Sequence, residues 1–328
     1  MVIHTRVPVT DKYNSIRLHA EIWQRLLSSG SATSSRQQFD KARDAIIELY
    51  HYGSFDWKAH ALSFSRNSVF VFHNVTPASE LWRWSPLVAL RALAAQLQLR
   101  LMPRSLPWIA VSEYNRKQLT RLKFRSVELV PLAFDLQEPG TKADRPTLLF
   151  VGRIAPSKNL IMLLRVFQSV CERSPIAPRL LLVSGRKKRC HFADAFQREL
   201  ETSPVSGNVT WYAEPLPYSD LKEIYRSAWL YVSMSRHEGF GAPVCEAISL
   251  GTPALFLECG GTESMLGRSG CISRAEQDHF AGRVGELLSD GTLRQQLLAE
   301  QAAHVREFCR EKVTQRLRAA LKRLCERF

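Results

Sequence analysis

Leu148-Leu149-Phe150-Val151-Gly152-Arg153-Ile154-Ala155-Pro156-Ser157-Lys158-Asn159 is the stretch whose reading decides the fold. Four β-rich apolar residues end at a glycine, a short polar loop follows, and from 159 to 171 the apolar positions take helical spacing. The spacing predicts a strand over 148–151 and a helix over 159–171. The alternation continues with strands over 180–183, 209–212, 229–232 and 254–257. Helices fall between them, over roughly 192–200, after Asp220 and after Ala242. Short strands separated by helices read as parallel β-α-β units.

Upstream the alternation is less regular. Segments 69–72, 108–111 and 127–130 read as buried strands, 45–50 as a further one, and 86–101 and 114–122 as helices. Glu138-Pro139-Gly140-Thr141-Lys142-Ala143-Asp144-Arg145-Pro146 has linker composition, which divides the chain into domains 1–140 and 141–311. A last helix, 312–328, carries Val313, Leu317, Ala320, Leu321, Leu324 and Phe328 on one stripe, opposite a basic face. The fold class expected is α/β, with two Rossmann-like parallel-sheet domains facing a cleft, and a ligand at the carboxyl ends of their strands.

The 328 residues, 45% hydrophobic and 23% charged, exclude disordered, collagen-like and coiled-coil classes. No apolar run reaches the length of a membrane span, and the first 20 residues hold no signal-peptide core. A cytoplasmic location is therefore expected. The seven cysteines form no C-x-x-C pair, which argues against a disulfide framework or a structural zinc site. The net charge of +14 is unevenly spread. Residues 1–135 hold 18 Lys and Arg against 10 Asp and Glu, and 304–328 hold 8 against 3, while the long middle is nearly balanced. That partition points to one basic face. Basic and aromatic residues are not interleaved on any recognisable nucleic-acid module, so nucleic acid is not an expected partner.

Two loops carry the chemistry. Gly152 ends the first strand, and Arg153 and Lys158 follow across the loop that opens the next helix. Two cations at such a turn suit a diphosphate, although alone they would read as a solvated basic loop. The second loop is Ser235-Arg236-His237-Glu238-Gly239-Phe240-Gly241-Ala242-Pro243-Val244-Cys245-Glu246-Ala247. Its glycines allow close backbone approach, Pro243 suits a first helical turn, and Glu246 stands where a carboxylate can accept two ribose hydroxyls.

Gly152-Arg153, Lys158-Asn159, Glu238-Gly239-Phe240-Gly241 and Glu246-Ala247, with the continuation Gly251-Thr252-Pro253-Ala254, resemble the signature of retaining glycosyltransferases of family 4, which have the GT-B fold. His73-Asn74-Val75-Thr76-Pro77 resembles the H-N-I-T-P segment of one bacterial branch, as do His51-Tyr52-Gly53-Ser54 and the stretch from Ala110 to Tyr114. The resemblance implies a hexosyltransferase that moves a sugar from a nucleotide-diphosphate sugar to an acceptor hydroxyl, in the synthesis of a bacterial surface polysaccharide or exopolysaccharide. Arg153 and Lys158 would stabilise the leaving diphosphate, Glu238 would contact the transferred sugar, and His73 would face that sugar. Gly152 and the loop Gly239, Phe240, Gly241 and Ala242 would meet the donor, Glu246 its ribose, and Glu214, Pro215 and Leu216 its base. Glu263 is a further candidate, although Glu258-Cys259-Gly260-Gly261-Thr262-Glu263 lacks the usual proline. By the same resemblance the final helix returns to the first domain.

Neither Asp-x-Asp nor a metal-ligand cluster of histidines occurs in the sequence, so no metal or other cofactor is expected. Thr10-Asp11-Lys12-Tyr13-Asn14 stands where family members carry a Gly-rich loop. That departure keeps a catalytically weak binding or scaffold subunit as an alternative, beside a nucleotide-sugar enzyme of another reaction type such as an epimerase. Segment 85–104 sets Leu87, Leu90, Leu93, Leu97 and Leu101 beside Arg91, Arg100 and Arg104. Such a stretch suits an anionic membrane surface and a lipid-linked or saccharide acceptor at the inner face, or else its leucines fill the domain core.

Overall fold

A computed structural model of the chain describes residues 2–6, 15–28, 46–63, 68–184 and 191–326. Thr10–Asn14, the segment in place of the Gly-rich loop, lies outside them. The described chain divides into two compact units, one of residues 1–78, 87–133 and 308–328, the other of 79–86 and 134–307.

The first unit holds β1 (Val2–Arg6), α1 (Ser15–Ser28), β2 (Ile46–Tyr52), α2 (Trp57–Leu62), β3 (Ser68–Phe72), α3 (Pro86–Leu101), β4 (Pro107–Ala110), α4 (Glu113–Arg121) and β5 (Ser126–Leu129). The strands are parallel and lie in chain order, β1-β2-β3-β4-β5. Phe70, Phe72, Trp108 and Tyr52 are buried together at the centre of this unit.

The second unit holds β6 (Thr147–Val151), α5 (Leu160–Arg173), β7 (Arg179–Val183), α6 (His191–Thr202), β8 (Val209–Tyr212), α7 (Tyr218–Ser227), β9 (Leu230–Ser233), α8 (Ala242–Ser249), β10 (Ala254–Leu257), α9 (Gly261–Leu266), β11 (Cys271–Ile272), α10 (Phe280–Ser289) and α11 (Gly291–Val305). Its parallel strands take the order β11-β10-β9-β6-β7-β8, with a reversal between β6 and β9. Leu148, Leu180, Leu230 and Leu255 are buried on the sheet against Leu164, Phe167 and Val284 of the covering helices. Strands covered on both faces are continuously apolar, which is why they were legible as short runs.

The division falls at 133/134, ahead of the boundary expected at 140, because the linker is bound to the second unit. Lys142 Nζ donates to the carbonyl oxygens of Arg226, Ala228 and Gly251 and to Thr252 Oγ1, at 2.8–3.0 Å. Trp229 Nε1 donates to Ala143 O at 2.6 Å, and Gln137 N to Ser249 O at 2.8 Å. Burial lowers the Lys142 ammonium to about 8. At the other end of the chain, α12 (Arg310–Cys325) belongs to the first unit, against α1 and β5. Its buried Val313, Leu317, Ala320, Leu321 and Leu324 lie on the expected stripe, whose last member, Phe328, is outside the described residues.

Candidate active site

An open parallel sheet leaves a crevice where the strand order reverses, because the loops leaving the two central strands diverge there. In the second unit that point lies between β6 and β9, and both motif loops leave from it. Gly152 N donates to Val183 O at 2.9 Å, which holds the chain as it leaves β6. Arg153 is exposed beyond it. Pro156–Lys158 form one 3-10 turn, and Asn159 turns into α5 at φ 55°. The Lys158 ammonium reaches across and donates to Glu238 Oε1, with both side chains more than four-fifths covered. Lys158 thus keeps two further N–H donors, and Arg153 contributes the fork of its guanidinium.

The second loop is held by backbone at both ends. Arg236 N donates to Ser157 O at 2.8 Å, which ties it to the first loop. Glu238 N donates to Cys259 O and Gly261 N to Glu238 O, each at 3.0 Å. Gly241 has φ +90°, and a Cβ there would stand 2.1 Å from Thr262 Oγ1. A Cβ on Gly261 would stand 2.4 Å from Gly239 C, so these two backbone segments touch directly. Phe240 is buried and stacks on Phe134, ring centres 5.8 Å apart. Gly241 and Ala242 open α8.

Glu246 lies within α8, half-buried, and accepts a hydrogen bond from Tyr225 Oη at 2.9 Å. Burial pushes its carboxyl up to about 7, against the pull of the Tyr225 hydroxyl. His237 is pushed down to about 4 by burial, with Lys158 and Arg274 adding to that and Glu238 opposing it, so its ring is neutral at pH 7. The Arg236 guanidinium pairs with Glu80 at 3.6 Å, and its carbonyl accepts from Arg274.

Four expected residues are placed differently from this cluster. Glu214, Pro215 and Leu216 follow β8, the edge strand, two strands removed from the reversal. Glu263 accepts from Gly260 N at 2.5 Å and from Cys259 N at 3.1 Å. Its carboxylate therefore caps α9, the reason the sequence pattern alone could not separate a site residue from a structural one. Tyr225 carried no signal in the sequence. It precedes Glu246 by 21 residues, and a buried tyrosine on a helix reads as core.

His73 belongs to the first unit, at the carboxyl end of β3. His51 Nδ1 and His73 Nε2 are 2.7 Å apart, within hydrogen-bond distance. Asn74, at φ 81°, donates from Nδ2 to Asn115 Oδ1 at 2.8 Å, and Asn115 Nδ2 donates to Phe72 O at 3.1 Å. These buried amides fix the turn that follows His73, which accounts for an asparagine in the left-handed region.

The model of the family described as glycosyl transferases group 1 matches residues 133–304. Among curated relatives, the D-inositol 3-phosphate glycosyltransferase of Acidothermus cellulolyticus is 29% identical over 52% of this chain and 39% of its own length. The O-antigen chain mannosyltransferase B of Escherichia coli is 27% identical over 51% and 41%. The chain thus spans under half the length of these relatives in the matched region. Among solved structures, the sucrose-phosphate synthase of Thermosynechococcus elongatus aligns with a TM-score of 0.70 at 17% identity, over 86% of this chain and 74% of that one. An α,α-trehalose-phosphate synthase (UDP-forming) of Burkholderia vietnamiensis aligns at 0.68 and 12%, over 95% and 76%. The two parallel α/β units are those of the GT-B fold.

Proposed function

The chain belongs to the group 1 glycosyl transferases, and on that premise we propose that it is a retaining hexosyltransferase. It moves a sugar from a nucleotide-diphosphate sugar to an acceptor hydroxyl. The observation that carries this reading is the meeting of Lys158 and Glu238 beside Arg153 at the strand reversal. As the bond from the anomeric carbon to the phosphate oxygen breaks, its electron pair passes to the diphosphate; the acceptor oxygen bonds to the anomeric carbon on the same face, and its proton passes to the leaving phosphate oxygen. Arg153 and the two remaining N–H donors of Lys158 balance that charge, with no metal in the proposed step. Glu238 orients Lys158 and contacts the sugar, the amides from Gly239 to Ala242 face sugar and phosphate, and Glu246 holds the ribose. Gly152 lets the first loop turn close to the phosphates, and Glu214, Pro215 and Leu216 flank the base. His73 is the further proposed sugar contact.

Saturation-transfer NMR against a panel of nucleotide-sugars tests the donor class, followed by measurement of the anomeric configuration of the product. Release of nucleoside diphosphate with retention supports the reading. Donor isomerisation without transfer would make the chain an epimerase, and binding without turnover would make it a scaffold.

For the acceptor we propose a lipid-linked saccharide of surface polysaccharide synthesis, met at the inner face of an anionic membrane. The Escherichia coli relative, named as an O-antigen chain mannosyltransferase, supports the polymer class. One feature of the first unit supports the membrane. Leu87, Leu90, Leu93, Leu97 and Leu101 do not fill the core; they are 41–77% exposed along one side of α3, flanked by Arg91 and Arg100. A helix apolar on both its inner and outer faces leaves the outer one to a partner. Among the described residues no helix is long and apolar enough to cross a membrane, so the proposed attachment is at the surface.

A further inference from the structure

Beneath the two motif loops lies a ladder of buried rings. Phe150, the penultimate residue of β6, stacks on Tyr231 of β9 with ring centres 6.4 Å apart, and Tyr231 stacks on Tyr225 of α7 at 6.3 Å. Tyr231 Oη donates to Val151 O at 3.1 Å, the carbonyl immediately before Gly152. Tyr225 Oη donates to Glu246 Oε2 at 2.9 Å. Both tyrosines are buried to within 2% of full coverage, so neither hydroxyl is there for solvent.

We infer that Tyr225 is a positioning residue for nucleotide recognition, which fixes the Glu246 carboxylate as a charged acceptor for the two hydroxyls of a ribose. The inference rests on the donor role proposed above for Glu246. A vicinal diol presents two O–H donors, and a carboxylate meets both only while it is ionised and held in one rotamer. The Tyr225 hydroxyl does both. It occupies one oxygen from below, which fixes the plane of the group, and a bond of this kind favours the charged form over the neutral one. Without that bond the carboxyl would be left against apolar surroundings, with burial alone acting on it.

Glu246 acts on titratable groups of three elements, Tyr225 on α7, Tyr231 on β9 and Cys245 on α8 itself, and the Tyr225 hydroxyl acts back on its carboxyl. Burial raises all three above their ordinary values, so they are neutral around pH 7 and the charge in the cluster is that of Glu246. Lys142 stands just beyond the C-terminus of α8, bonded to Gly251 O and Thr252 Oγ1. With Glu246 at about 7, the strength of its grip on a diol varies across neutral pH.

Two measurements test the role. In the free protein, carboxyl-labelled glutamate followed by NMR gives a Glu246 midpoint near 7 that moves up by about one pH unit in Tyr225→Phe. In the bound protein, affinities for UDP and GDP are compared with those for their 2′-deoxy counterparts from pH 5.5 to 9. The comparison cancels the titration of the phosphates. The preference for ribose should rise with pH in the wild type, and in Tyr225→Phe the same rise should come at higher pH. A uniform loss of affinity in Tyr225→Phe, with both midpoints unchanged, would make Tyr225 merely structural and overturn the inference. Glu246→Gln should erase the ribose preference at every pH. If it does not, the donor role of Glu246 itself fails, whatever Tyr225 does.

Discussion

The two units treat their surfaces differently. In the second, the large exposed hydrophobic residues are scattered, Trp82, Ile176 and Tyr218, and the charged loops gather at one strand reversal. In the first, six such residues sit on a single helix, Leu87, Val88, Leu90, Leu93, Leu97 and Leu101 of α3. The contrast holds even within the first unit, where α12 has the same length of 16 residues as α3 but buries its apolar stripe and turns its cations outward. A small polar ligand needs a few convergent donors, whereas an extended apolar face fits only something large. The two units are suited to different partners, and mutations can separate them.

The largest effects belong to the second unit. Arg153→Ala and Lys158→Ala should each lower turnover by about 2–4 kcal/mol, roughly 30- to 900-fold, while attachment to vesicles stays intact. Steady-state kinetics and co-sedimentation on the same preparations check this. Near-normal rates in both folded variants would remove the diphosphate role and, with it, half of the contrast.

Gly241→Ala should destabilise the protein by about 3 kcal/mol, read as a lower urea midpoint at unchanged slope. The Cβ would meet Thr262 Oγ1 at 2.1 Å while the backbone stays at φ +90°. Gly282→Ala, on an open face of α10, is the control and should have no such cost.

Glu246→Gln sharpens the account of the buried carboxyl. Its folded value, about 7, lies above the ordinary one of 4.5, so the folded state holds the proton more tightly than the unfolded chain. The stability this contributes is complete below pH 4.5 and is lost as pH rises through about 7. Thermal unfolding should therefore show the glutamine variant gaining on the wild type across that window by about 3 kcal/mol, then levelling off. A difference independent of pH would contradict the burial argument.

The smallest effect per residue belongs to the first unit. Leu90→Glu with Leu97→Glu should reduce co-sedimentation with anionic vesicles by about tenfold and leave transfer to a water-soluble acceptor unchanged. Binding in the wild type should weaken as salt rises, since each cation near the surface contributes only about 1 kcal/mol. Equal binding to neutral and anionic vesicles, or none at low salt, would break the membrane half of the comparison.

The second unit was the more legible one in sequence. Strands β8 and β10 matched their runs residue for residue, and β10, buried at every position, shows why: a strand covered on both faces must be continuously apolar. In the first unit α3 was equally plain as a helix, yet β1 and α1 were not anticipated. In β1 the polar His4 and Thr5 break the alternation, and in α1 an alternation over Ile16, Leu18, Ala20 and Ile22 competes with the helical stripe Ile16, Ala20, Trp23 and Leu27, so the period was ambiguous. The residues of the two motif loops were readable because strand, glycine and charge follow one another locally.

What the sequence by itself determined is therefore local: the element types, the two loops and their charged residues, and the uneven distribution of charge along the chain. Tertiary structure decided the rest, because it depends on residues far apart in the chain. It set Lys158 on Glu238, 80 residues away, and Tyr225 under Glu246. It bound the linker to the second unit through Lys142, since a buried ammonium requires acceptors that only the folded α7 and α8 ends supply. It also turned the leucines of α3 outward. A helical period states which residues share a side, and only the packing of neighbours states which side meets the core.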